Sequence, residues 1–183
     1  MNSTISQGVA YDAVVLLGFG AKSAEPLPEP APGEIVIRYG SWVPQQGWSL
    51  QGLRDEPMLR MCNIMWEQDW YNDHAWSNEI LPDGIYRLRV PVPGSNRKTF
   101  AEQQAMLSPG EQVAPVVLVA TALLVHYAET GEDLLKNDCT RCKEQTVDGC
   151  RVGLRWDEGR LVVADLWSRS RRLNTWISSL RTS

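Results

Sequence analysis

The segment from Glu67 to Glu79 packs four acids, one histidine and three aromatic residues into thirteen positions. Carboxylates beside an imidazole can move protons on a substrate or hold a divalent cation. Asp73, His74 and Glu79 are therefore the candidate catalytic groups. Aromatic faces next to carboxylates are also how a site grips a sugar or a cation. The plainer reading is a helix end followed by a polar turn, with Trp70 and Trp76 anchoring the loop to the core. It is favoured because the segment has neither metal-ligand nor triad spacing.

A second candidate runs Val92-Pro93-Gly94-Ser95-Asn96-Arg97-Lys98-Thr99, between an expected strand and an expected helix start. Backbone N–H groups at such a junction can cradle a small anion. Ser95, Asn96, Arg97, Lys98 and Thr99 are the residues that would do so. The loop is too short for a nucleotide-binding loop and lacks its second glycine, so a nucleoside triphosphate is not expected. The competing reading is an ordinary strand-to-helix turn.

The third candidate is Cys139-Thr140-Arg141-Cys142, with Cys150 eight residues further on. Two cysteines at this spacing can chelate zinc, and Cys150 would be a third ligand. Cys62, His126 or an acid would have to supply the fourth. The alternative is three free, reduced thiols and no cofactor. A redox role is weaker still, because the motif does not open a helix after a strand. His126 sits in an apolar stretch and reads as a core histidine with one hydrogen bond. Ser77 and Ser95 lack the strained elbow of a hydrolase nucleophile.

The elements that would carry these residues give an α+β pattern. Residues 1–33 read as an N-terminal extension, because Glu25 to Gly33 holds four prolines in nine residues and forms a stiff linker. The stretch Val9 to Phe19 is apolar enough to dock as an arm on the body or on a partner. The body, 34–183, is expected to be one domain. Strands are predicted near 35–39, 85–92, 150–156 and 161–167, from β-branched runs, alternation and bounding glycines. Pro91 and Pro93 would put the end of the second strand at a sheet edge. A mostly buried helix is predicted from Pro57 to about residue 70, capped by Asp55. Thr99-x-x-Glu102 and Ser108-x-x-Glu111 read as capping boxes. The second would lead into an apolar helix at 111–130 that ends at Gly131. The expected fold is an antiparallel sheet of about four strands packed against that central helix.

Composition narrows the function. The chain has 183 residues, 43% of them hydrophobic and 22% charged, within the range of globular proteins. Eight tryptophans are unusual, and tryptophan suits half-buried positions and interfaces. Residues 1–150 hold 19 acids against 11 bases, whereas residues 151–183 hold seven arginines against three acids. Arg171 and Arg172 thus mark a candidate docking surface, with Trp70 and Trp76 as interface aromatics. A net charge of −4 argues against general nucleic-acid binding. The apolar run Val116 to Val125 is about half the length of a membrane span, and the start of the chain lacks a basic signal region, so a cytoplasmic protein is expected. The preferred function is a non-catalytic binding module for a protein partner or for self-association. The alternative is a small enzyme acting on an anionic or polar molecule through the two loops, with a zinc-stabilised module as a third reading.

Overall fold

A computed structural model describes residues 8–12, 25–39, 49–166 and 175–181. The fold is mixed α and β, with two sheets and four helices among the described residues. The strands are β1 (Val9–Asp12), β2 (Ile35–Tyr39), β3 (Gly84–Arg89), β4 (Glu111–Val113), β5 (Cys139–Gln145), β6 (Arg151–Asp157), β7 (Arg160–Leu166), β8 (Thr175–Ile177) and β9 (Ser179–Arg181). The helices are α1 (Leu50–Asp55), α2 (Pro57–Met61), α3 (Phe100–Gln104) and α4 (Val116–Thr130). One sheet has the order β1-β2-β3-β9-β4 and the other β7-β6-β5-β8. The single antiparallel sheet read from sequence is thus two sheets, and each contains a parallel pair, β1 with β2 and β5 with β8.

The N-terminal strand lies on the body itself, with Val9 opposite Ile35 and Asp12 opposite Arg38. Its Tyr11 hydroxyl and Nδ1 of His126, near the end of α4, share a hydrogen bond of 2.8 Å. Burial raises the tyrosine to about 12 and lowers the histidine against the opposing pull of Glu132. Helix α4 is buried along its run from Val116 to His126. Its first turn has no side-chain cap of its own, since Pro115 stands at the cap position. Glu144 of β5 takes that role, accepting the Val116 N–H at 2.9 Å. Gly131 adopts φ 71° and returns its N–H to the Tyr127 carbonyl, the left-handed stop that glycine supplies without a Cβ penalty.

Several boundaries differ from the sequence reading. The helix predicted from Pro57 to residue 70 ends at Met61, because Asn63 takes φ 51° and Met65 then bridges to Leu161. Met61 is consequently 81% exposed. The cap that matters lies earlier: the Ser49 hydroxyl accepts the Gly52 N–H and starts α1, while Asp55 is its last residue. Thr99 and Glu102 form the expected reciprocal box at α3. Ser108 and Glu111 also meet, yet no helix follows, because Arg89 and Arg181 hold Glu111 and the chain extends as β4. Strand β3 ends at Arg89, before the prolines, and lies between β2 and β9 rather than at an edge. The hairpin β6–β7 turns through two residues, Glu158 and Gly159, both at positive φ, which fixes Asp157 opposite Arg160.

Two outcomes follow from this packing. A Cβ on Gly153 would strike the Leu166 side chain and come within 2.5 Å of the Thr140 carbonyl oxygen. Gly153→Ala should therefore lower stability by about 1–3 kcal/mol or more, read as a lower urea midpoint. Burial also pushes the Glu144 carboxyl up to about 7 from its ordinary 4.5, with Glu79 adding like-charge repulsion. A raised carboxyl favours folding while protonated. Its contribution is complete below about 4.5 and is lost as pH rises through about 7. Glu144→Gln should flatten the fall in stability across that window, by a few kcal/mol at most, in denaturation series at successive pH values.

Candidate functional site

The loop that follows α2 is built around four rings. The Trp70 ring meets Tyr71, His74 and Trp76 in edge contacts with centroids 5.4, 6.0 and 6.1 Å away. His74 stacks on Trp76 at 5.2 Å and 20°. Tyr71 is fully buried at the base, whereas Trp70 remains 39% exposed. Such edge and offset contacts add about 0.5–1.5 kcal/mol per pair beyond burial.

Polar contacts lock this knot to its neighbours. Arg54 of α1 donates to the Gln68 carbonyl at 3.1 Å and to Asn72 Oδ1, and its guanidinium lies 5.5 Å from the centre of the Tyr71 ring. Its pairing with Asp55 at 2.9 Å raises it further above its ordinary value. Gln51 donates to the Asn72 carbonyl at 2.9 Å and to Ser77 Oγ at 3.0 Å. Gln68 reaches the other way and accepts the Val163 N–H of β7 at 3.0 Å. Around the rim Glu67, Asp69, Asp73 and Glu79 are all exposed, and Ile80 just beyond is 58% exposed. The result is an aromatic cluster within a segment whose four acids are all exposed. Its chemistry suits a cationic or apolar group. Among the described residues the His74 ring is held by stacking on tryptophan and not by a carboxylate, while Asp73 and Glu79 face solvent.

The Ser95–Thr99 loop is tied to different parts of the fold. Ser95 is fully buried; its hydroxyl donates to the Val92 carbonyl at 2.7 Å and accepts the Ile177 N–H at 3.1 Å. The Thr99 N–H and hydroxyl both go to the Glu102 carboxylate, at 2.7 and 2.9 Å. The Lys98 carbonyl accepts from buried Arg141 at 3.1 Å. Asn96 is half-buried, and Arg97 is exposed at φ 57°. The charge that the helix start could attract is thus already supplied from within by Glu102.

No cysteine forms a disulfide among the described residues. Cys139 and Cys142 lie three apart on β5, the first half-buried and the second fully buried, and Cys150 precedes β6. No group of three His, Cys, Asp or Glu side chains converges on an ion position among the described residues. No helix among them is long and apolar enough to cross a membrane. Arg171 and Arg172 lie outside the described residues.

One concavity escaped the sequence reading. Phe100, Gln104, Gln112, Val113, Lys143 and Arg151 line it, from four different elements. Only the β5–β6 register, which sets Gln145 opposite Arg151, brings the two cations together. The comparisons with known proteins add no relative: no family model, no curated protein and no solved structure matches this chain.

The Ser95 contacts predict a structural role for a residue that sequence offered as an anion ligand. Ser95→Ala would leave the Ile177 N–H buried and unpaired, at a cost of about 1–3 kcal/mol. Chemical denaturation should show that loss, and phosphate at saturating concentration should not restore it.

Proposed function

We propose that this chain is a non-catalytic binding protein that recognises a protein partner through the aromatic loop at 67–79. The observation behind this reading is the state of Trp70, an exposed ring held in place by three neighbouring rings. Exposed tryptophan is unfavourable unless it is used, and an anchor already fixed in position loses little entropy on binding. The surrounding carboxylates define the partner's character. A segment carrying lysine or arginine beside apolar residues would place its cation over the indole and within reach of Asp69, Asp73 and Glu79. The arginines of residues 169–172 have that character, so a second copy of the chain is one such partner. None of the four cysteines is in a disulfide, which fits a reducing compartment and supports action in the cytoplasm.

The test is selection from a random peptide display library on the immobilised full-length chain. Enriched peptides should carry Lys or Arg next to an apolar residue. Trp70→Ala should weaken their binding by about tenfold or more, as expected for removal of an interface anchor. Asp73→Lys should weaken it further at low salt than at high salt. Enrichment of acidic or purely polar peptides, or binding indifferent to Trp70→Ala, would refute the proposal. A sedimentation profile that changes from dimer to monomer on Trp70→Ala would identify the second copy as the partner.

A further inference from the structure

The concavity between α3, β4 and the β5–β6 pair has a volume of about 200 Å³ and a composition unlike the rest of this acidic surface. Phe100 and Val113 form an apolar floor, Gln104 and Gln112 supply amides, and Lys143 and Arg151 supply two positive charges. No acid is among the lining residues. The Arg151 guanidinium lies 4.0 Å from the centre of the Phe100 ring, which fixes its plane. It donates to the Lys143 carbonyl at 2.7 Å, and its Nε is buried without a partner. The acid whose field reaches Arg151 is Glu144, and that carboxylate is turned to the Val116 N–H. Among the described residues neither Lys143 nor Arg151 forms an ion pair.

We infer that this cleft binds a carboxylate carried on a short apolar body, with Arg151 and Lys143 on the carboxylate and Phe100 and Val113 under the apolar part. The planar fork of arginine matches a carboxylate, and its stacking on Phe100 presents that fork in one orientation. The apolar floor distinguishes such a ligand from inorganic phosphate, which would leave Phe100 and Val113 facing a fully hydrated ion. The volume is below the roughly 300–1,000 Å³ of sites for drug-sized molecules, so the cleft holds a small acid or the terminal residue of a chain. A free fatty-type acid and a peptide C-terminus share this chemistry. The site is separate from the aromatic loop and does not depend on it.

The experiment is a titration of the full-length chain, followed by amide chemical shifts, with five probes. These are hexanoate, hexanamide, inorganic phosphate, and a short peptide ending in leucine as the free acid and as the amide. Hexanoate should give saturable shifts centred on Gln104, Gln112, Lys143 and Arg151 at millimolar concentration, and hexanamide should not. The free-acid peptide binding more tightly than hexanoate, with its amide silent, identifies a chain terminus as the natural ligand; the reverse order identifies a small acid. Arg151→Gln should weaken the preferred probe by about tenfold or more, as loss of a charge-assisted pair requires. Should that variant fail to fold, Lys143→Gln replaces an exposed side chain and should weaken the same probe by a few-fold. Equal binding of hexanoate and hexanamide, phosphate binding as tight as hexanoate, shifts elsewhere, or affinity unchanged in Lys143→Gln would overturn the inference.

Discussion

At its C-terminal end the described chain steps from one sheet to the other across a single residue. Strand β8 ends at Ile177 in one sheet and β9 begins at Ser179 in the other, so the chain crosses between them at Ser178. Every polar group of that residue is engaged. Its hydroxyl meets Thr140 at 2.8 Å, its N–H donates to the Arg141 carbonyl, and its carbonyl accepts the Ala114 N–H at 3.0 Å. Residues Thr175 to Leu180 are all buried, so the backbone pairing of Ser178 matters, while the Ser179 hydroxyl beside it is buried without a partner among the described residues. The crossing sets much of the surrounding geometry. The turn after β3 hangs on it, through the Val92 N–H to the Ile177 carbonyl and the Ile177 N–H to Ser95. So does the start of α4, through Ala114.

Arg141, next to this crossing, is the largest of the fully buried side chains. A buried cation is costly unless its donors are met. Here it donates to the Gln103 amide oxygen at 2.8 Å and to the Lys98 carbonyl, while the Gln103 amide nitrogen donates to the Ser95 and Thr175 carbonyls at 2.8 and 3.0 Å. The short helix α3 has too few residues to be stable by itself. Its reciprocal cap and this polar network hold it against β5 and β8. That is why Phe100 has a fixed position beside Arg151, and why the segment from Ser95 to Thr99 is also tied into the structure.

What could be read in the sequence was what adjacent residues decide among themselves. The β6–β7 hairpin announces itself by alternation and by Gly159, the Thr99–Glu102 box by its spacing, and α4 by an apolar run closed by Gly131. Where distant residues compete, the local signal misleads. Glu111 satisfies the spacing of a capping box, but two arginines from β3 and β9 draw it into a strand. The helix after Pro57 has suitable residues to continue, but the Leu161 backbone takes up Ile64 and Trp66 through hydrogen bonds of 2.7 and 2.9 Å. Strand β5 was obscured by the cysteines that drew notice to it. The aromatic loop was legible as a composition, since its rings and acids are sequence neighbours. The cationic cleft was not, because its six lining residues come from elements whose pairing no local pattern encodes.

That difference bears on how the two surfaces are supported. Strand β7 is a sheet edge, and an open edge invites association with any other strand. Residues 64–66 cover part of it with the Met65–Leu161 bridge, and Arg160 seals the join by lying 3.7 Å from the centre of the Trp66 ring. The aromatic loop departs directly from this cover, with Gln68 still bonded to β7. The loop is therefore fixed from two sides, by Gln51 and Arg54 of α1 and by the hairpin through Gln68. The cleft draws on the same hairpin through β6, where Arg151 opens the strand. Both surfaces thus touch one antiparallel hairpin, the aromatic loop through β7 and the cleft through β6, with the β6–β7 register set by the two-residue turn at Glu158–Gly159 and the β5–β6 register placing Arg151. A register shift of one residue there would reverse the faces of β7 and disturb the contacts that residues 65–68 make with it.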